Sequence, residues 1–330
     1  MKFFIDLQKT RYCIEHNLFP KNYFDIFHSY FYLCLLPYDL KITFLNYVNS
    51  ESRKVFEDIL KVKSNLYTID ECDCIVDFLP LCMNISNIDL DSLRSYLRNK
   101  KVVIFQACDN DKFFSDIENL FLFTTSGYRS KHNNNVFGCP TFNNDYYQSV
   151  ILDKKLSVGF CGFIENDFRK NIVNQLLGYS YFNLIERDYW GNISTQFDYT
   201  DSHFKTISIN SKREFVDNIQ NNLYTLCVRG GGNYSFRLSE TLMMGRIPIL
   251  VDSDCILPFE NEIPYKQNTV YITKENSDNF TNIDKVIQDF HSSHSEERIL
   301  EIQKENRNIW LEYFKIDKSF YKTLNLLQNL

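Results

Sequence analysis

Long apolar runs are missing from this 330-residue chain. The nearest approach, "YFYLCLLPY" at Tyr30–Tyr38, is too short to span a bilayer and contains a proline. The first residues, "MKFFIDLQKTRYC", hold no apolar core of the length a signal peptide requires. The expected location is therefore cytoplasmic, with peripheral attachment at the inner face of a membrane left open. No cysteine pair has CxxC spacing, so the ten cysteines read as reduced thiols, mostly buried as small apolar side chains. The histidine pair "HSSH" at His291 and His294 sits in a polar, helix-like stretch, and no metal site is expected there. Positive charge is not in excess: 36 Lys and Arg face 42 Asp and Glu, a net −6 that argues against a duplex nucleic-acid binder. A small anionic ligand needs only a few arginines in one place and stays possible. Internal repeats, low-complexity linkers and the GxxxxGK[ST] phosphate loop are also absent.

What is present fits a globular chain of two domains, each of roughly 150 residues. Hydrophobic residues make up 44% and charged ones 24%, and 29 Phe with 21 Tyr supply area for sizeable cores. That aromatic excess reads as compositional bias rather than as a ligand groove. In the first half "KITFLNYV", "CIVDFLPL", "KVVIFQA" and "LFLFTTSG" read as strands and "LDSLRSYLRNK" as a helix, with "RSKHNNNVFGCPTFNND" a polar loop. The second half alternates regularly. Strands "LSVGFCGF", "YFNLIER", "LYTLCV", "IPILV" and "TVYIT" are separated by helices "NDFRKNIVNQLL", "KREFVDNIQNN" and "YSFRLSETLMM", and only helices follow Asp278. Such alternation predicts a parallel sheet covered on both faces. The turn at Lys154–Lys155 divides a domain of residues 1–155 from one of residues 156–330.

The chemistry concentrates in "TLCVRGGGNYSFRLSETLMMGRIPILV", Thr225–Val251. Glycines at Gly230–Gly232 allow a sharp, positive-φ turn after the strand and let a ligand approach the peptide N–H groups. A helix opening at Asn233, a good N-cap, would present its free amides and positive dipole to a phosphate. Arg229 adds charge, Ser235 a hydroxyl, and Glu240, two turns into the helix, an acceptor for ribose hydroxyls. Gly245 reads as the C′ residue. Arg169, Arg187 and Arg229 follow different strands and should open towards one edge. The expected ligand is a nucleoside diphosphate. Gly230, Gly232 and Asp252 imitate a dinucleotide fingerprint, but Ser235 occupies the third glycine position, which keeps an NAD- or FAD-linked oxidoreductase only as an alternative.

The block "LCVRGGGNYSFRLSETLMMGRIPILVDSDCILPF" resembles the signature of exostosin-type glycosyltransferases (glycosyltransferase family 47), in particular their soluble microbial relatives. The likeness extends more weakly through "VGFCGF", Arg169 and "ERD", with fainter echoes in "FTTSGYRSK" and "CPTF". It implies a GT-B fold: two Rossmann-like α/β domains facing across a cleft, here with a helical C-terminal tail. It also implies transfer of a hexosyl or pentosyl group with inversion, from a UDP-sugar to a polysaccharide or glycoconjugate acceptor. Carried over by motif position, Arg229, Gly231, Ser235, Arg237 and Glu240 bind the donor and Arg169 supplements the phosphate side. Cationic side chains then replace a divalent metal. "DSD" at Asp252–Asp254, though it has the form of a GT-A metal motif, is expected to cap its loop or face the acceptor. The base for the acceptor hydroxyl would be Asp109 or Asp111, with Asp145 and His132 behind them. A non-catalytic nucleotide-sugar-binding assembly protein, which keeps the donor pocket but lacks a base, is the competing reading, and peripheral association with a membrane glycan-assembly complex is left open for the transferase.

Overall fold

A computed structural model describes residues 1–16, 30–48, 50–79, 100–106, 118–131, 134–164, 166–187 and 202–330. Contacts divide the chain into two units. One comprises Met1–Asn144, Cys255–Glu260 and Glu312–Leu330; the other comprises Asp145–Asp254 and Asn261–Leu311.

The first unit is built on a parallel sheet of β1 (Phe3–Phe4), β2 (Cys74–Leu79), β3 (Lys101–Gln106), β4 (Leu120–Thr124) and β5 (Val136–Gly138), in that spatial order. Its aromatic residues serve the core. Phe105, Phe123 and Phe137 are register partners on β3, β4 and β5, and their rings stack at 5.1 Å from one strand to the next. Helices α1 (Leu7–Glu15), α2 (Tyr30–Leu35), α3 (Tyr38–Tyr47) and α4 (Ser50–Phe56) accompany the sheet. The expected strand "KITFLNYV" is corrected, because it lies in α3. Leu40, Lys41, Phe44 and Leu45 recur at helical spacing and are buried together, so tertiary packing overrides the strand-like composition. The polar loop after Arg129 also conceals β5, whose three residues are too few to show alternation. The helix expected over "LDSLRSYLRNK" lies, but for Lys100, outside the described residues.

The second unit contains β6 (Val158–Phe163), β7 (Phe182–Arg187), β8 (Tyr224–Cys227), β9 (Ile247–Val251) and β10 (Val270–Ile272), all parallel, in the order β10-β9-β8-β6-β7. The connecting helices are α5 (Asp167–Asn174), α6 (Ser202–Gln220), α7 (Arg237–Met243), α8 (Tyr265–Asn268), α9 (Lys274–Asn279), α10 (Ile283–Ser293) and α11 (Glu296–Ile309). Val158, Phe160, Leu226, Val228, Ile249 and Val251 join Ile172, Ile287 and Ile302 in its core. The strand order reverses between β6 and β8. In an open parallel sheet, ligands bind beyond the strand ends at such a reversal. The expectation of two Rossmann-like α/β units with a helical tail therefore holds.

The unit boundary falls at Asn144–Asp145, earlier than the Lys154–Lys155 turn. The intervening residues form no helix or strand and are aperiodic, so only their hydrogen bonds assign them. Tyr146 O accepts from Gln220, Val150 O from Arg246, and Leu152 exchanges two bonds with Gln303. The last helix, α12 (Ile316–Asn329), belongs to the first unit rather than to the second. Its Phe320 stacks on Phe31 at 4.9 Å and its Thr323 hydroxyl meets that of Tyr30.

Gly245 behaves as expected: it follows α7 with φ +62°, and its N–H closes on Leu242 O. A Cβ here would also press on Gln303 O at 3.2 Å. Gly245→Ala should cost about 1–2 kcal/mol. Urea denaturation should show a lower midpoint at unchanged slope.

Candidate functional site

At the reversal, β6 and β8 are in register only at Val158↔Tyr224 and Gly159↔Thr225. Beyond these pairs, guanidinium groups occupy carbonyls at the strand ends. Arg237 Nη2 donates to Cys161 O, and its planar group lies over the Phe160 ring at 4.3 Å. Gly162 leaves room for it, since a Cβ at that position would collide with Nη2. Arg169 is buried and spans both strand ends. Its Nη1 donates to Phe163 O at 2.7 Å, Nη2 to Val228 O at 3.3 Å and Nε to Arg229 O at 3.0 Å. Arg169, expected on the phosphate side, thus has Nε, Nη1 and Nη2 all engaged with backbone carbonyls.

The glycine turn hangs from this clamp. None of Gly230–Gly232 adopts positive φ, so the expected reason for three glycines is replaced by a steric one at Gly230. A Cβ on Gly230 would lie 2.9 Å from Arg169 Nη2. Gly230 O accepts from Asn166 Nδ2 at 2.9 Å, and Gly230 N–H from within the turn reaches Tyr234 O at 3.3 Å. Gly231 is exposed and Arg229 half-buried. Among the described residues the Arg229 guanidinium meets only the Phe168 ring, 5.0 Å away, and no carboxylate.

The helix behind the turn begins at Arg237, not at Asn233, and Phe236 precedes it with no side-chain cap. Residues Asn233–Phe236 form an irregular connection, so Glu240 stands in the first turn instead of two turns in. It lies three residues from Arg237, hence on the same face. Its carboxylate makes no hydrogen bond among the described residues. Burial pushes its pKa up to about 7, against the pull of Arg237. The same burial lowers the Arg237 guanidinium. Ser235 Oγ and Arg237 Nε are buried without hydrogen-bond partners among the described residues. Such orphaned donors and acceptors are costly unless a ligand satisfies them.

Other expectations fare differently. Arg187 does not stand beside Arg229 as an open cation, because it pairs with Glu214 at 2.6 Å and donates to Ser211 O. Asp252 caps its own loop: Oδ1 accepts from Asp254 N at 2.8 Å and Oδ2 from the Tyr271 hydroxyl. Asp145 is held by both terminal nitrogens of Arg307, at 2.9 and 2.7 Å, which suits an anchor rather than a base. His291 meets the Tyr224 hydroxyl, and His294 stacks on Phe290. Asp109, Asp111 and His132 lie outside the described residues. Two participants were missed in the sequence, Asn166 and Phe168. "ND" before an amphipathic run does signal an N-cap, and Asn166 Oδ1 accepts from Arg169 N at 2.8 Å. Nothing in the pattern discloses its second bond to Gly230.

Residues 164–287 match the Exostosin GT47 domain, so the exostosin-type resemblance is borne out over the stretch that builds this site. Exostosin-1 of Drosophila melanogaster is 29% identical over 111 residues, 33% of this chain and 14% of that protein. A probable glucuronosyltransferase GUT1 of Oryza sativa subsp. japonica is 29% identical over 69 residues, 21% of this chain and 16% of its own. A probable beta-1,4-xylosyltransferase IRX10 of Arabidopsis thaliana is likewise 29% identical over 69 residues, covering 21% and 17%. The chain thus matches about a sixth of the length of these relatives. No helix among the described residues is long and apolar enough to cross a membrane.

Proposed function

We propose that this chain is a glycosyltransferase of the family 47 type with a GT-B arrangement, taking a sugar from a UDP-sugar and inverting it onto a glycan acceptor. The carrying observation is the half-buried Arg229, without a counter-ion among the described residues, beside exposed Gly231 at the strand-order reversal. A cation and a peptide donor at that position suit a diphosphate. When the glycosidic bond breaks, negative charge grows on the leaving diphosphate, and fixed donors stabilise it without reorganisation. Arg229 supplies charge-assisted bonds and Gly231 its N–H. Arg237 Nε and Ser235 Oγ, buried polar atoms without partners among the described residues, are the donors we assign to a ligand's hydroxyl or phosphate oxygens. Glu240 receives the ribose hydroxyls. No divalent ion is needed in this scheme. The names of the plant relatives favour a glucuronosyl or xylosyl donor, and polysaccharide assembly on the cytoplasmic side of a membrane is the setting we assign.

The test is isothermal titration of UDP and UDP-sugars in the presence of EDTA. One-to-one binding that survives chelation is the expected result. Uptake of NAD or FAD with no response to nucleoside diphosphates would overturn the reading.

A further inference from the structure

Asn166 and Arg169 act on the turn from one place, the N-terminal end of α5. Asn166 is the N-cap of that helix, and Arg169 lies three residues on. Together they fix two successive carbonyls of the turn: Arg169 Nε holds Arg229 O and Asn166 Nδ2 holds Gly230 O. A trans peptide is planar, with its N–H opposed to its C=O. Holding Gly230 O against Asn166 therefore points the Gly231 N–H the other way. That N–H has no acceptor among the described residues, and Gly231 is exposed. Its neighbour is the opposite case, because Gly230 N–H is consumed inside the turn by Tyr234 O.

We propose that Asn166 and Arg169 are positioning residues, which aim the Gly231 N–H at the donor's diphosphate by locking the carbonyls of Arg229 and Gly230. The proposal rests on the donor-site reading above. It assigns Arg169 a place behind the turn rather than on the phosphate, and it adds Asn166 to the site. It also accounts for Gly230, where any side chain would displace the Arg169 guanidinium.

Asn166 has two separable duties, which makes the test clean. Its Oδ1 caps α5 and its Nδ2 holds Gly230. Asn166→Asp and Asn166→Ser both keep a good cap. Both lose the amide donor, and only the first adds charge. UDP and uridine are titrated against wild type and both variants, with thermal melting as the folding control. We expect melting near wild type, UDP affinity reduced by about tenfold in both variants, in keeping with the loss of one well-placed hydrogen bond, and uridine affinity unchanged. Arg169→Lys, whose single ammonium cannot span three carbonyls, should shift the UDP-to-uridine ratio in the same direction. Equal losses for UDP and uridine, or no change in either, would overturn the positioning role while leaving the donor site standing. Failure of the wild-type chain to bind UDP would instead remove the donor reading and this proposal with it.

Discussion

Arg229→Ala should lower kcat/KM for sugar transfer by about 10²–10³-fold, the range for removing one preorganised donor from a developing anion. The loss should be divided. Ground-state affinity falls because a charge-assisted contact to the diphosphate is gone, and kcat falls because that contact strengthens as the leaving group gains charge. Folding should hardly respond. The side chain is half-buried and rests only on the Phe168 face among the described residues, a contact of about 0.5–1 kcal/mol when exposed. Arg229→Lys should recover part of kcat, since it restores the charge but not the fork. Steady-state kinetics per folded molecule, with circular dichroism as control, decide the matter. Normal kinetics in folded Arg229→Ala would make the turn structural only.

Glu240→Gln should reverse its effect on stability with pH. The folded carboxyl has a pKa of about 7 against an ordinary 4.5, raised by burial. The folded state therefore holds this proton more tightly than the unfolded chain does. Its stabilising share is complete below about pH 4.5 and is lost as pH rises through 7. At pH 8 the wild-type chain carries a poorly solvated carboxylate, which glutamine does not. The variant should then be more stable by roughly 2–3 kcal/mol, and the two should converge near pH 4–5. Ligand binding should run oppositely. Ribose hydroxyls donate to the ionised carboxylate, so wild-type affinity for a UDP-sugar should improve between pH 6 and 8, while that of the glutamine variant stays flat. A UDP-sugar is the right probe because its diphosphate diester is ionised throughout this range. Parallel pH profiles for the two proteins would exclude Glu240 from the ligand.

The contrast between these residues shows what the sequence could reveal. Strands β6, β8, β9 and β10 were legible because buried parallel strands are short, mostly apolar runs between turn signals, whereas β7 exposes Asn183 and Glu186 and was legible from its place in the alternation. Gly245 was legible because a left-handed residue after a helix is usually glycine. Arg229 stood out as a charge beside glycines at a strand end. The starting point of α7 was not legible: "NYSF" offers Asn233 as a cap, yet the chain stays irregular as far as Phe236. The division of labour among arginines was hidden as well. Arg169, Arg187 and Arg229 look alike in a string of letters. In the fold one grips backbone, one grips Glu214, and one faces a ring with its donors unused by described residues. Such differences depend on which carbonyls and carboxylates the topology brings near, and these come from distant segments.

The return of α12 to the first unit has a consequence for synthesis. A ribosome releases the chain from its N-terminus, and domains normally fold as they emerge. Here the early segment waits for its last helix, because Phe31 and Tyr30 find Phe320 and Thr323 almost the whole chain later. The second unit, by contrast, has all its strands by Ile272 and its last helix by Ile309. The order of translation and the order of completion are thus inverted. The half made first therefore exposes its aromatic surface longest.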